Sequence, residues 1–162
     1  MKKILVYIAC NFIILVIAVA VIGAASRDHS EMPEHLKGSY IDISGLRIRY
    51  VQKGKGRDVL FIHGSPGSIE DWSPLAEDLS SQFRLTCYDR PGQGFSGTPN
   101  ESFHLENNAR IAFRLIEKLG LIDPIVVGHS YGGSTVLAMA VAGPANVGPF
   151  VTIGAGRIKK RT

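Results

Sequence analysis

Ile125-Val126-Val127-Gly128-His129-Ser130-Tyr131-Gly132-Gly133 is the stretch on which the fold of this 162-residue chain turns. Its first three residues form a short, unbroken apolar run. Such a run suits a strand covered on both faces. Ser134 to Ala142 follows as a run of small and apolar residues of helical length. Strand and helix therefore meet at Gly128 to Gly133, which fits the pattern G-x-S-x-G. A chain that passes this sharply from strand to helix forces its central residue into a strained conformation. Glycine two positions before and two after leaves room for the turn. The Ser130 hydroxyl is then lifted above the sheet edge, with the first N–H groups of the helix behind it. Those groups favour a developing negative charge. In a chain with 18 glycines the bare pattern is weak. Its place between an apolar strand and a helix is what gives it weight.

Working upstream, two further loops stand at strand ends. Val59-Leu60-Phe61-Ile62 is a buried-type strand, and His63-Gly64-Ser65-Pro66-Gly67-Ser68 follows it. Pro66 has no N–H, so Ser65 is the natural backbone donor there. Paired with the Tyr131 N–H, it would form a two-donor cradle for an oxyanion. His63 reads as a hydrogen-bonded structural histidine and Gly64 as part of its turn. Arg84 to Tyr88 is another strand, leading into Asp89-Arg90-Pro91-Gly92-Gln93-Gly94-Phe95-Ser96. Asp89 and Arg90 read as braces that hold the loops by hydrogen bonds or a charge pair.

The remaining segments complete an alternating order. Tyr40 to Ile43 and Leu46 to Val51 alternate apolar and polar residues across Ser44-Gly45, which predicts a β-hairpin. Asp71 to Ser81 predicts a short helix, with Trp72, Leu75, Ala76 and Leu79 at helical spacing. Leu105 to Leu119 predicts a longer one, with Gly120 placed to stop it. Phe150 begins a last strand. A hairpin followed by strands and helices in alternation implies a mainly parallel sheet with right-handed crossovers. Reactive groups in such a sheet collect at the carboxyl ends of the strands.

Together the three loops resemble the α/β-hydrolase superfamily, in the branch carrying H-G-x-P-G, D-R-x-G-x-G-x-S and G-H-S-x-G-G. Here they read HGSPGS, DRPGQGFS and GHSYGG, in the family's order, and the resemblance covers about residues 39–156. It implies a three-layer α/β-hydrolase fold with Ser130 as nucleophile. It also implies that the backbone N–H groups of Ser65 and Tyr131 form the oxyanion hole, with His63, Gly64, Asp89, Arg90, Gly128, His129 and Gly132 supporting the loops. A serine at the elbow points to hydrolysis of a small-molecule ester, amide or carbon–carbon bond, without cofactor or metal. The family's dehalogenases and epoxide hydrolases carry an aspartate there. The family's acid and histidine come after the elbow, yet no His, Asp or Glu follows Ser130 in this sequence. The expectation is a domain cut short after about the sixth strand. It is either part of a serine hydrolase or a catalytically inactive, membrane-tethered fragment or interaction protein.

The ends of the chain read differently. Ile4 to Ala25 carries no charge and follows Lys2 and Lys3. As a helix it would span about 33 Å, enough for a hydrocarbon core of about 30 Å. Residues 1–25 therefore read as a transmembrane anchor or a signal peptide, 26–38 as a linker, 39–156 as the partial hydrolase domain and 157–162 as a basic tail. The lysines favour a cytoplasmic N-terminus with the body on the far side of the membrane, or secretion if the segment is cleaved. The formal charge of +4 sits at the two ends. The six basic residues there leave 12 of the 18 in the body, against 14 acidic ones. That distribution argues against a nucleic-acid surface. Cys10 and Cys87 lie in unrelated contexts, and neither a disulfide scaffold nor a metal-ligand spacing is present.

Overall fold

The computed structural model describes residues 38–99, 104–143 and 147–155. The apolar segment 4–25 and the basic tail 157–162 lie outside them. No helix of the described residues is long and apolar enough to cross a membrane.

Six strands form one mixed sheet in the order β1-β2-β4-β3-β5-β6. The hairpin comprises β1 (Ser39–Ile43) and β2 (Leu46–Lys53), joined at Ser44 and Gly45. β2 also pairs antiparallel with β4 (Phe83–Tyr88). β3 (Arg57–Ile62) is flanked by β4 and β5 (Ile125–His129), and β5 by β6 (Phe150–Ile153); these three pairings are parallel. The sheet is therefore parallel in its centre and antiparallel along the hairpin side.

Helices cover both faces because the chain reverses direction across the sheet. Helix α1 (Ser73–Leu79) connects β3 to β4 on one side. Helices α2 (Leu105–Lys118) and α3 (Tyr131–Ala142) connect β4 to β5 and β5 to β6 in the opposite sense. Right-handed crossovers then place α1 on one face and the other two on the opposite face. The side chains of β3 record this directly. Leu60 and Ile62 pack with Ala112, Leu115, Val136 and Met139 of α2 and α3. Val59 and Phe61 pack with Ile69, Trp72 and Leu85, backed by Ala76 and Leu79. One strand thus feeds two cores by its two-residue alternation.

The helix boundaries have local causes. The segment expected as one helix over 71–81 instead opens with a single 3-10 turn at Ile69–Trp72, and α1 starts only at Ser73, with Pro74 in its first turn. Proline lacks the N–H of a helix interior but fits the first turn, so α1 begins there. α2 ends as expected. Leu121 N–H donates to the Ile116 carbonyl and Gly120 N–H to that of Glu117, which closes the last turn.

Alternation in β2 puts Arg49 on the face opposite Ile48, and that polar face is not solvated. Arg49 is only 1% exposed. The face of β2 away from the α2 and α3 core is covered by the segment around Glu70 and by the loop after β4. Arg49 meets both, as an ion pair with Glu70 at 2.6 Å and with Asp89 at 3.1 Å.

Candidate active site

β3 is where the crossovers reverse, since β4 and β5 lie on its opposite sides. In an open α/β sheet a crevice forms outside the carboxyl ends at such a point. A cleft of about 500 Å³ opens there. The loop after β3 contributes His63 to Pro66, the end of β5 contributes His129 and Ser130, and β6 contributes Ile153. Asp71 and Trp72 line it as well.

Ser130 stands alone between strand and helix with φ 53° and ψ −115°. A residue with a Cβ adopts a positive φ of this kind only where its surroundings impose it, at a cost of about 1–3 kcal/mol. Two close approaches impose it. A Cβ on Gly128 would run into the Gly132 carbonyl oxygen, and one on Gly132 into the Ile62 carbonyl oxygen. The backbone is then tied down at both sides. Ser130 N–H donates to the Ile153 carbonyl at 2.8 Å, and the Ser130 carbonyl accepts from Ser134 N–H at 3.1 Å. The side-chain hydroxyl has no hydrogen-bond partner among the described residues and borders the cleft. Tyr131 is the first residue of α3, where helix geometry provides no intrahelical acceptor for the N–H.

The loop after β3 passes directly beside this turn. A Cβ on Gly64 would lie 3.2 Å from Ser130 Cβ and equally close to His129 Nδ1. His63, fully buried, has both ring nitrogens engaged. Its Nε2 accepts from Arg90 N–H at 2.9 Å, which leaves Nδ1 to carry the proton it donates to the Gly64 carbonyl at 2.8 Å. A ring whose Nε2 accepts a hydrogen bond is neutral, and burial, followed by the neighbouring Arg90 charge, lowers the His63 pKa in the same sense. Arg90 is 2% exposed, and burial pulls its pKa below the ordinary guanidinium value. Its Nε donates to the His63 carbonyl at 3.0 Å, Nη2 to the Gly64 carbonyl at 2.6 Å and Nη1 to Asn108 Oδ1 at 3.4 Å. The guanidinium also lies 4.5 Å from the centre of the Tyr131 ring.

Asp89 faces away from this chemistry and is fully buried. One carboxylate oxygen accepts from Ile69 N–H at 2.8 Å; the other accepts from Phe95 N–H at 2.8 Å and pairs with Arg49. It thereby joins β2, the 3-10 turn and its own loop. The three loop motifs do not mark Arg49, Glu70, Asp71 or Asn108, which complete these networks. Asp71 and Asn108 lie in segments of helical periodicity, where a polar residue ordinarily faces solvent. The one available signal was Arg49, a cation in a strand whose partner carboxylates are remote in sequence. No group of three or more His, Cys, Asp or Glu among the described residues is arranged to hold a metal ion.

A family profile described as "alpha/beta hydrolase fold" matches residues 59–160. The chain belongs to the α/β-hydrolase family. A non-heme haloperoxidase of Rhodococcus erythropolis is 36% identical over 113 residues, 68% of this chain and 41% of that protein. The bifunctional epoxide hydrolase 2 of Sus scrofa is 33% identical over 119 residues, covering 71% of this chain and 21% of that one. Among solved structures, Cfl2 of Burkholderia cenocepacia superposes with a TM-score of 0.71 at 25% identity, over 78% of this α/β-hydrolase chain and 44% of that chain. The chain thus spans less than half the length of these relatives.

Proposed function

We propose that this α/β-hydrolase chain carries the nucleophile and oxyanion cradle of a serine hydrolase acting on a small-molecule ester, amide or carbon–carbon bond. The observation that carries the reading is Ser130 itself, a serine held at φ 53° over the sheet edge with its hydroxyl bordering the cleft. In the reaction the Ser130 oxygen attacks the carbonyl carbon. The carbonyl oxygen gains charge and is met by N–H groups of Ser65 and Tyr131. The bond to the leaving group breaks, the leaving group takes a proton, and water releases the acyl group from Ser130. Ser65 N–H donates to no described residue, which leaves it available for that oxygen.

The base that removes the Ser130 proton is not His63, because both of its nitrogens are committed and its ring is buried. A serine hydroxyl is a weak nucleophile near neutral pH unless a base activates it. An activated reagent is therefore the suitable probe. A fluorophosphonate is expected to form a covalent adduct on the peptide containing Ser130, read by mass spectrometry, and the adduct should disappear in Ser130→Ala. Labelling that persists in Ser130→Ala refutes the assignment.

A further inference from the structure

We propose that Arg90 is a positioning residue that aims the Ser65 N–H into the cleft by holding the carbonyl on the other side of the same peptide bond. The inference rests on the oxyanion reading above and adds to it the group that sets the donor's direction. The Gly64–Ser65 peptide is trans. In a planar trans peptide the C=O and the following N–H point in opposite directions. Whatever fixes the Gly64 carbonyl therefore fixes the Ser65 N–H.

That carbonyl is held twice, by Arg90 Nη2 at 2.6 Å and by His63 Nδ1 at 2.8 Å. Both donors lie in the interior. Rotating the peptide would break a charge-assisted hydrogen bond and strand buried donors. The N–H is accordingly directed away from Arg90, toward the cleft that Ser65 and Ser130 share. Arg90 also sets the state of its helper. Its own N–H occupies His63 Nε2, which places the His63 proton on Nδ1, where it points at the same carbonyl. The guanidinium holds the preceding carbonyl as well, that of His63, at 3.0 Å, and its carbon lies 4.5 Å from the centre of the Tyr131 ring. One planar fork thus spans two successive carbonyls. A lysine ammonium lacks that planar fork of donors.

The test compares wild type, Arg90→Lys and Arg90→Met in the full chain by three measurements. The first is the rate of fluorophosphonate labelling at Ser130. Loss of one oxyanion donor lowers rates by about 100- to 1000-fold, and Arg90→Met is expected to approach that loss, with Arg90→Lys about 10-fold below wild type. The second is rescue. Methylguanidinium added to Arg90→Met is expected to restore part of the labelling rate, which a general loss of packing would not allow. The third is the crystallographic orientation of the Gly64–Ser65 peptide in the variants, rotated relative to wild type. Equal labelling rates in variants and wild type overturn the proposal. If Arg90→Met does not fold, Arg90→Lys decides on the same rate and orientation. If wild type itself takes no label, the serine-hydrolase reading fails, and the peptide orientation alone judges Arg90: rotated supports the positioning role, unrotated ends it.

Discussion

Glycine at position 132 is required by space. An added Cβ would overlap the Ile62 carbonyl and approach that of His63, both of them backbone atoms at the end of β3 that cannot swing aside. Gly132→Ala should therefore push α3 away from the sheet and lower stability by about 3 kcal/mol, the upper range for overpacking a close contact. A urea titration checks this, and an unshifted midpoint would show that the turn relaxes freely. The spacing G-x-S-x-G was legible because its physical reason is local: the turn needs those glycines wherever it occurs. The roles of His63 and Arg90 were less so. That both side chains brace a loop was readable from the turn, but no local pattern shows that the Arg90 N–H takes one histidine nitrogen while its guanidinium takes the carbonyls.

Among the elements, β2 carries the lesson that alternation reports sidedness and not solvent. Residues 46–51 alternate as a half-exposed strand should, and Ile48 is fully buried on the apolar side. Arg49 on the other side is buried as well, because the loops after β3 and β4 fold over it. Its partner Asp89 lies 40 residues away in the chain. Breaking a buried pair from one side leaves an uncompensated charge, at a cost of about 3–5 kcal/mol. Arg49→Met is expected to destabilise the fold by that amount and to loosen the loop from Asp89 to Ser96, whose Ser96 hydroxyl accepts from Arg49 N–H and donates to the Asp89 carbonyl. Thermal unfolding and amide exchange across that loop measure both effects. A loss under about 1 kcal/mol would mean that water replaces the pair. The short helix before β4 shows a related limit: helical spacing found Ala76 and Leu79, which pack against the sheet, but Leu75 of the same set is exposed, Trp72 sits in the 3-10 turn, and the helix starts only at Ser73 with Pro74 in its first turn.

For the molecule as a whole, the buried neutral His63 couples the site's braces to stability. Burial first, and the Arg90 charge second, lower its affinity for a proton in the native state relative to the unfolded chain, where the ordinary value is about 6.5. The native state then binds fewer protons than the unfolded one below that pH. Stability is at its full value above about pH 6.5 and falls as the pH drops below it, with a limiting slope of about 1.4 kcal/mol per pH unit from this group. Urea midpoints between pH 7.5 and 5.0 should show the decline, and His63→Gln should flatten it. Parallel pH profiles for the two proteins would remove His63 as the cause. The window lies above the range where Asp58 and Glu70 titrate: burial alone would raise both carboxyl groups, but hydrogen bonds and charge from Arg84 and Arg49, with backbone N–H donors, outweigh it and hold them below their usual values.

Taken by itself, the sequence determined the alternating order of strands and helices, the strand ends at which the three loops stand, and the glycines around Ser130. Each follows from interactions between residues close in the chain: periodicity, turn sterics and helix stops. The tertiary structure alone decided the strand order that brings β3 between β4 and β5, the burial of Arg49 and the convergence of His63, Arg90 and Asn108 behind the cleft. Those depend on which distant segments share the interior, where an unpaired charge or carbonyl is costly and each polar group must find its partner across the fold.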